Sequence, residues 1–242
     1  MQKAIIILIT IIICLAALYQ CRPGYVVFMD KVYFNQISEG AGFNRIRIYS
    51  ADARTFRVHK EWPEYAMDKN KAYFFAKPIF GSDGPTFELL QGNYQKDKNH
   101  VYYSNRIIES ADVASFKAFP IDSLGHSPLR FSEDKNEFYY CGIPIGVYDR
   151  ESFRQLYVKD NLWGYDSKYC YYEENKCEIS GLKHFKVFES GLYAKDSIHV
   201  FYCGKLVEGA DAETFQETDI FRGKDKYGMY DMGKSVDSLQ TL

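Results

Sequence analysis

A mainly β, tandem-repeat fold is predicted for this chain of 242 residues by three observations: an aromatic-rich composition, a sequence unit that recurs along most of the length, and turn-forming residues at fixed places inside that unit. The 21 Tyr, 18 Phe and 2 Trp sum to 41 aromatics, and Tyr alone outnumbers Leu (14) and Ala (15). Aromatic side chains suit a pleated, half-buried surface, which points away from a helical bundle. With 46% apolar and 26% charged residues the chain is too hydrophobic to stay disordered. Its 30 Lys and Arg balance 32 Asp and Glu to a net charge of −2, so it has no global attraction for phosphate and no nucleic-acid partner is expected.

The first element in chain order is an address. Met1, Gln2 and Lys3 precede an apolar run from Ala4 to Tyr19 interrupted only by Thr10, and Gln20, Cys21, Arg22 and Pro23 end it. The run corresponds to roughly 24 Å of helix, long for a signal-peptide core and short for a comfortable span. Residues 1–22 are therefore expected to be a signal peptide or a membrane anchor. The lack of a small-x-small site after Ala17 favours the uncleaved anchor. Cys21, three residues after Leu18, is a candidate for lipidation. Each version places the folded part outside the cytoplasm, and the anchor and lipidated versions bring it to the membrane through this segment.

The repeat follows. Asp68, Asp97, Asp134, Asp166 and Asp196 each stand three residues after an aromatic (Tyr65, Tyr94, Phe131, Trp163, Tyr193). Five residues after them come Tyr73, Tyr102, Tyr139, Tyr171 and Phe201, and the next residue is again aromatic each time. Nineteen residues after them stand Phe87, Phe116, Phe153, Phe185 and Phe215. Asp225 with Tyr230 begins a last unit, and Asp30, Lys31, Tyr33 and Phe34, closed by Asp52 to Phe56, form a degenerate first one with its Asp-to-Tyr spacing short by two. Residues 23–242 are thus one repeat domain, with units near 25–56, 65–87, 94–116, 131–153, 163–185, 193–215 and 221–242.

The recurrence of Asp-Lys-Asn (68–70, 97–99 and 134–136) followed by paired aromatics resembles the DKNYY repeat family of bacterial, frequently exported or lipid-anchored proteins. The resemblance spans about residues 25 to 240. It implies a family without an assigned biochemical role and no catalytic residue to carry over. Asp166-Ser167-Lys168 and Asp196-Ser197-Ile198 depart from the motif, so the Asp is better retained among the copies than the Lys or Asn.

Within a unit, the aromatic-x-x-Asp stretch, a segment such as Val101-Tyr102-Tyr103, and Ile107-Ile108 read as three short strands joined by tight turns. The closing pieces, such as Asp112 to Phe116 and Asp211 to Phe215, read as one helical turn with an Asp N-cap and a buried Phe; Gly181 replaces that Asp in one copy. Stacked units make the array solenoid-like or propeller-like.

A second turn centred on the eighth and ninth residues after the Asp would set position six opposite eleven and five opposite twelve. Positions four and eleven (Val101 and Ile108, for example) then form the core side. Tyr73, Tyr102, Tyr139, Tyr171, Phe201 and Tyr230 share the other face with the carboxylates Glu109, Glu178 and Glu208. This ladder is the candidate binding face for an envelope glycan or protein, because rings cover sugar faces and carboxylates accept hydroxyl or ammonium bonds. The competing expectation is that the rings pack between units.

Other chemistry leaves little trace. The five histidines lack zinc-ligand spacing, the repeated Asp lacks the calcium-loop pattern, and neither a phosphate loop nor a nucleophile elbow occurs, so no metal or cofactor is expected. Cys170 and Cys177 lie at core positions on one face of a hairpin, diagonal in the expected register, and are a candidate disulfide. Together these features point to a non-catalytic, extracytoplasmic binding or scaffolding module of the cell envelope. The alternatives are an envelope hydrolase whose acids converge from different repeats and a structural spacer.

Overall fold

A computed structural model describes residues 22–38, 40, 42–119, 130–158, 161–173 and 175–236. The apolar run Ala4 to Tyr19 and Cys21 lie outside these residues. Among the described residues no helix is long and apolar enough to cross a membrane. The chain divides into two compact units, residues 1–109 and 110–242.

The fold is a series of small antiparallel sheets. Unit one holds a three-stranded sheet of Gly24–Phe28, Lys31–Ser38 and Gly42–Arg47, then two four-stranded meanders. These are Arg57–Val58, Tyr65–Met67, Ala72–Phe74, Lys77–Pro78, and Glu88–Leu89, Tyr94–Lys96, Val101–Tyr103, Arg106–Ile107. Unit two holds four more. The fourth sheet is Lys117–Ala118, Phe131–Glu133, Phe138–Tyr140, Ile143–Pro144, and the fifth is Arg154–Val158, Asn161–Tyr165, Tyr169–Tyr172, Asn175–Glu178. The sixth is Lys186–Val187, Tyr193–Lys195, Val200–Tyr202, Lys205–Leu206, and the seventh Gln216–Glu217, Arg222–Lys224, Met229–Asp231, Lys234–Ser235.

Each meander thus has one strand more than the three expected. The extra strand leads the sheet and directly follows the Phe of the capped turn: Phe87 is succeeded by Glu88–Leu89, which pairs with Tyr94–Lys96. A turn that closes a unit in sequence therefore opens the next sheet in space. Such two-residue strands are too short to show alternation.

The register also differs from expectation. Tyr102 faces Ile107 and Tyr103 faces Arg106, so the turn is Ser104-Asn105, positions seven and eight. Both residues have positive φ, 48° and 66°, the geometry of a two-residue turn whose twist matches that of the strands it joins. Position four then stands opposite eleven, as in the pair Cys170 and Cys177. Both cysteines are free thiols, and Cys177 Sγ donates to the Gly204 carbonyl at 2.8 Å. They are directly opposed in the ladder, not diagonal.

In the first sheet the hairpin turn is only Met29-Asp30, between the paired Phe28 and Lys31. This accounts for the two missing residues. Asp30 is exposed, and the buried carboxylate of the other units has no counterpart there.

Within each of the two compact units, the cores lie between successive sheets. One face carries the aromatic three before the Asp and positions four and eleven; it meets the position-five face of the following sheet. Tyr65, Ala72 and Ile79 pack with Phe87 and Tyr102; Trp163 and Cys170 with Ala194 and Phe201; Tyr193, Val200 and Val207 with Phe215 and Tyr230. On the first of these faces two rings pair across the strands, as in Tyr94 with Tyr103 and Trp163 with Tyr172, at centroid separations of 4.8 and 4.9 Å. The seventh sheet carries Arg222 opposite Asp231 at those two positions, an ion pair at 3.8 Å, so this face is polar.

Candidate binding face

The residues that define the repeat converge on one carboxylate in each unit after the first, buried in all but the last, where Asp225 is half-buried. Asp97 Oδ1 accepts the N–H groups of Asn99 (2.7 Å) and His100 (2.8 Å), which closes the four-residue turn between the second and third strands. Its Oδ2 accepts the Tyr102 hydroxyl (2.8 Å) and the N–H of Asp83 (2.8 Å), the capping residue of the turn that leads the sheet. Four donors thus meet one carboxylate. The pattern repeats at Asp68 with Tyr73 and Asp52, at Asp134 with Tyr139 and Asp112, and at Asp225 with Tyr230 and Asp211. Asp166 holds the Tyr171 hydroxyl at 2.6 Å and the Tyr148 N–H at 2.9 Å. In the sixth sheet Phe201 has no hydroxyl; His199 Nδ1 approaches Asp196 at 3.1 Å, and the Ser180 N–H donates at 2.7 Å.

The electrostatics follow from these bonds. Burial alone would raise the carboxyls of Asp68, Asp134, Asp166 and Asp196, but the hydrogen bonds they accept outweigh it and hold them below the usual carboxylate range. Burial, followed by the bond to the neighbouring carboxylate, pushes Tyr73, Tyr102, Tyr139 and Tyr171 well above the ordinary phenol value, and Tyr230 up to about 12. These hydroxyls stay protonated and donate.

A second layer ties the Lys of the motif to the turn. Lys69, Lys98, Lys135 and Lys226 pair with the capping carboxylates of Asp52, Asp83, Asp112 and Asp211 at 2.8–2.9 Å. The hydrogen bond from the Lys side chain, then that from Thr or Ser, lowers Asp52, Asp112 and Asp211 to about 2. The departures from the motif fit the same scheme. Ser167 Oγ donates to Asp149 at 2.9 Å, and where Gly181 removes the cap, Ser197 and Ser180 hydroxyls bond at 2.7 Å.

The structure removes the ring ladder from the surface. Tyr73, Tyr102, Tyr139, Tyr171, Phe201 and Tyr230 are all buried, at most 4% exposed. Each is covered by the Phe of the capped turn: Phe87 lies 5.8 Å from Tyr102, Phe116 6.0 Å from Tyr139 and Phe215 6.0 Å from Tyr230. Glu109, Glu178 and Glu208 are exposed, so the rings and the carboxylates do not form one platform. Tyr73, Tyr102, Tyr171, Phe201 and Tyr230 pack instead in the cores between neighbouring sheets of the same compact unit.

The sequence carries a signal for this burial. Two residues before the Asp stand Ala66, Gln95, Ser132, Gly164, Ala194 and Gly223, small in all but one copy. A Cβ at Gly164 would come within 2.7 Å of the Phe153 ring, and one at Gly223 within 2.1 Å of Phe215. The small residue makes room for the Phe.

Among the described residues no group of His, Cys, Asp or Glu side chains could hold a metal ion. Large exposed aromatics are instead Phe43, Tyr49, Trp62, Phe75, Phe80, Tyr148, Phe221 and Tyr227, which do not share one repeat position. The family model described as the DKNYY family matches residues 25–162 and, overlapping, 73–234. No curated protein and no solved structure matches the chain.

Proposed function

Given that this chain belongs to the DKNYY family, we propose that it is a non-catalytic, extracytoplasmic scaffolding or binding module held at the membrane by residues 1–22. The observation that carries this reading is the use of the motif itself. Its Asp, Lys and first Tyr are spent on holding one sheet to the turn before it, so what recurs is a structural joint with no reactive group left over. Within residues 110–236 the fitting arrangement is a sequential, solenoid-like stack: Trp163 Nε1 donates to the Gly191 carbonyl at 2.7 Å and Tyr193 Oη to Phe221 at 3.0 Å, each joining a sheet to its successor.

Protease added to intact spheroplasts tests the location: digestion of the repeats is expected, and full protection with the N-terminal run intact overturns it. The purified full chain should also leave envelope glycans and peptides unchanged. Turnover that is lost on replacing a single acid such as Glu178 would instead establish a hydrolase.

A further inference from the structure

The face of the first sheet turned away from the second sheet differs from the other faces among the described residues: Val26 and Asn35 on it are buried, at 1% exposure each, whereas its edge-strand side is open. Strand pairing places Lys31, Tyr33, Asn35 and Ile37 of one strand beside Phe43, Arg45 and Arg47 of the edge strand, with Tyr33 opposite Arg47, Asn35 opposite Arg45 and Ile37 opposite Phe43. Tyr49 continues the same alternation. The opposite face, with Tyr25 and Phe34, packs on Ala66 and Tyr73 of the second sheet. Tyr33 holds the place that the buried position-five ring takes elsewhere, yet no sheet covers this end of unit one among the described residues.

A solvent-facing end needs only mixed polarity, as Arg222 opposite Asp231 supplies in the seventh sheet. The first sheet has something else. The cations Lys31, Arg45 and Arg47 share the face with no carboxylate among those strand positions. Large apolar groups stand out beside them: Ile37 is 62% exposed, Phe43 47% and Tyr49 81%. Arg47 lies over the Tyr49 ring at 4.4 Å, and Arg45 lies 5.4 Å from the Tyr33 ring centroid and 5.7 Å from that of Phe43. Cationic heads alternating with aromatic and aliphatic side chains match the boundary of an anionic bilayer, where headgroup phosphates meet acyl chains.

The chain arrives at the same face. Asn35 Nδ2 donates to the Arg22 carbonyl at 2.8 Å, and Arg45 Nε donates to Asn35 Oδ1 at 3.0 Å. Arg22 directly follows the segment 1–21 that contains the apolar run. A run inserted in the bilayer and ending at Arg22 holds this face within a few residues of the headgroups. We propose that the edge-strand side of this face of the first sheet, through the exposed Lys31, Arg47, Ile37, Phe43 and Tyr49, docks on the anionic phospholipid surface of the membrane that holds the N-terminus. This rests on the reading of residues 1–22 as a membrane segment, and it adds a second contact that sets the orientation of the repeats.

The test uses the full chain reconstituted with phosphatidylglycerol or with phosphatidylcholine vesicles, and reads vesicle flotation together with amide hydrogen exchange. Residues 42–49 should exchange roughly tenfold more slowly on the anionic vesicles. That protection should be lost in about 0.5 M NaCl and in the double variant Lys31→Glu with Arg47→Glu, two exposed positions whose replacement leaves the sheet's buried face intact. Flotation with both vesicle types but equal exchange of 42–49 overturns the docking face while the anchor stands. Salt-sensitive flotation with phosphatidylglycerol alone removes the anchor and keeps the face. Flotation with neither overturns both. Protection on both lipids, insensitive to salt, also overturns the proposal, because the contact would then not depend on headgroup charge.

Discussion

Tyr102 Oη lies 2.8 Å from Asp97 Oδ2, and the same oxygen accepts the main-chain N–H of Asp83 at 2.8 Å. One carboxylate oxygen thus joins the central strand of a sheet to the turn that precedes it. Asp97→Ala would strand these two donors and the N–H groups of Asn99 and His100. We expect a loss of at least about 3 kcal/mol, against about 1 kcal/mol for Tyr102→Phe, which leaves three donors on the carboxylate. Denaturant unfolding of both single variants and the double variant measures the coupling; equal losses for the two single variants would contradict a shared acceptor.

The ring covering the joint should matter as much. Phe116 is buried and packs 6.0 Å from Tyr139. Phe116→Ala is expected to cost roughly 3–5 kcal/mol. A change below about 1 kcal/mol in the unfolding curve would show that the capped turn is not held by its Phe.

Acid should open the joints, and the sign follows from the direction of the shifts. Asp68, Asp134, Asp166 and Asp196 are depressed in the folded state, so the unfolded chain takes up protons first. Their contribution is fully present above the unfolded value of about 3.9 and is lost as pH falls below it through the folded values. The buried tyrosines act in the opposite sense. Being raised, they stabilise the fold below an unfolded value of about 10 and cease to do so as pH rises above it. Thermal midpoints should form a plateau between these limits; a midpoint that rises on acidification below pH of about 4 would reverse the assignment.

Cys141, Cys170, Cys177 and Cys203 are thiols rather than disulfides, and burial raises Cys170 far above the ordinary thiol value. Native protein should therefore alkylate slowly at Cys170, while denaturation without reductant exposes all four to labelling. Peptide mapping that finds Cys170 joined to Cys177 would refute this.

The all-β class, the repeat, the turn chemistry of Asp97 to His100 and the core character of Val101 and Ile108 were legible in the sequence because they are local. They depend on residue types a few positions apart and on strand parity, both of which repeat with the unit. The shortened first hairpin was visible too, as a spacing two residues short at Asp30. What only the tertiary structure decided is where the faces go. A Tyr such as Tyr139, with its ring on one side of a strand, has the same local pattern whether it faces solvent or a neighbour. Its burial is settled by Phe116, which arrives from the preceding unit, and by the Asp112 N–H, which reaches Asp134 across twenty-two residues of chain. Composition and spacing are the same whether a ring is left open or covered by a capped turn, so they are blind to a choice that the packing of Phe116 on Tyr139 makes in three dimensions.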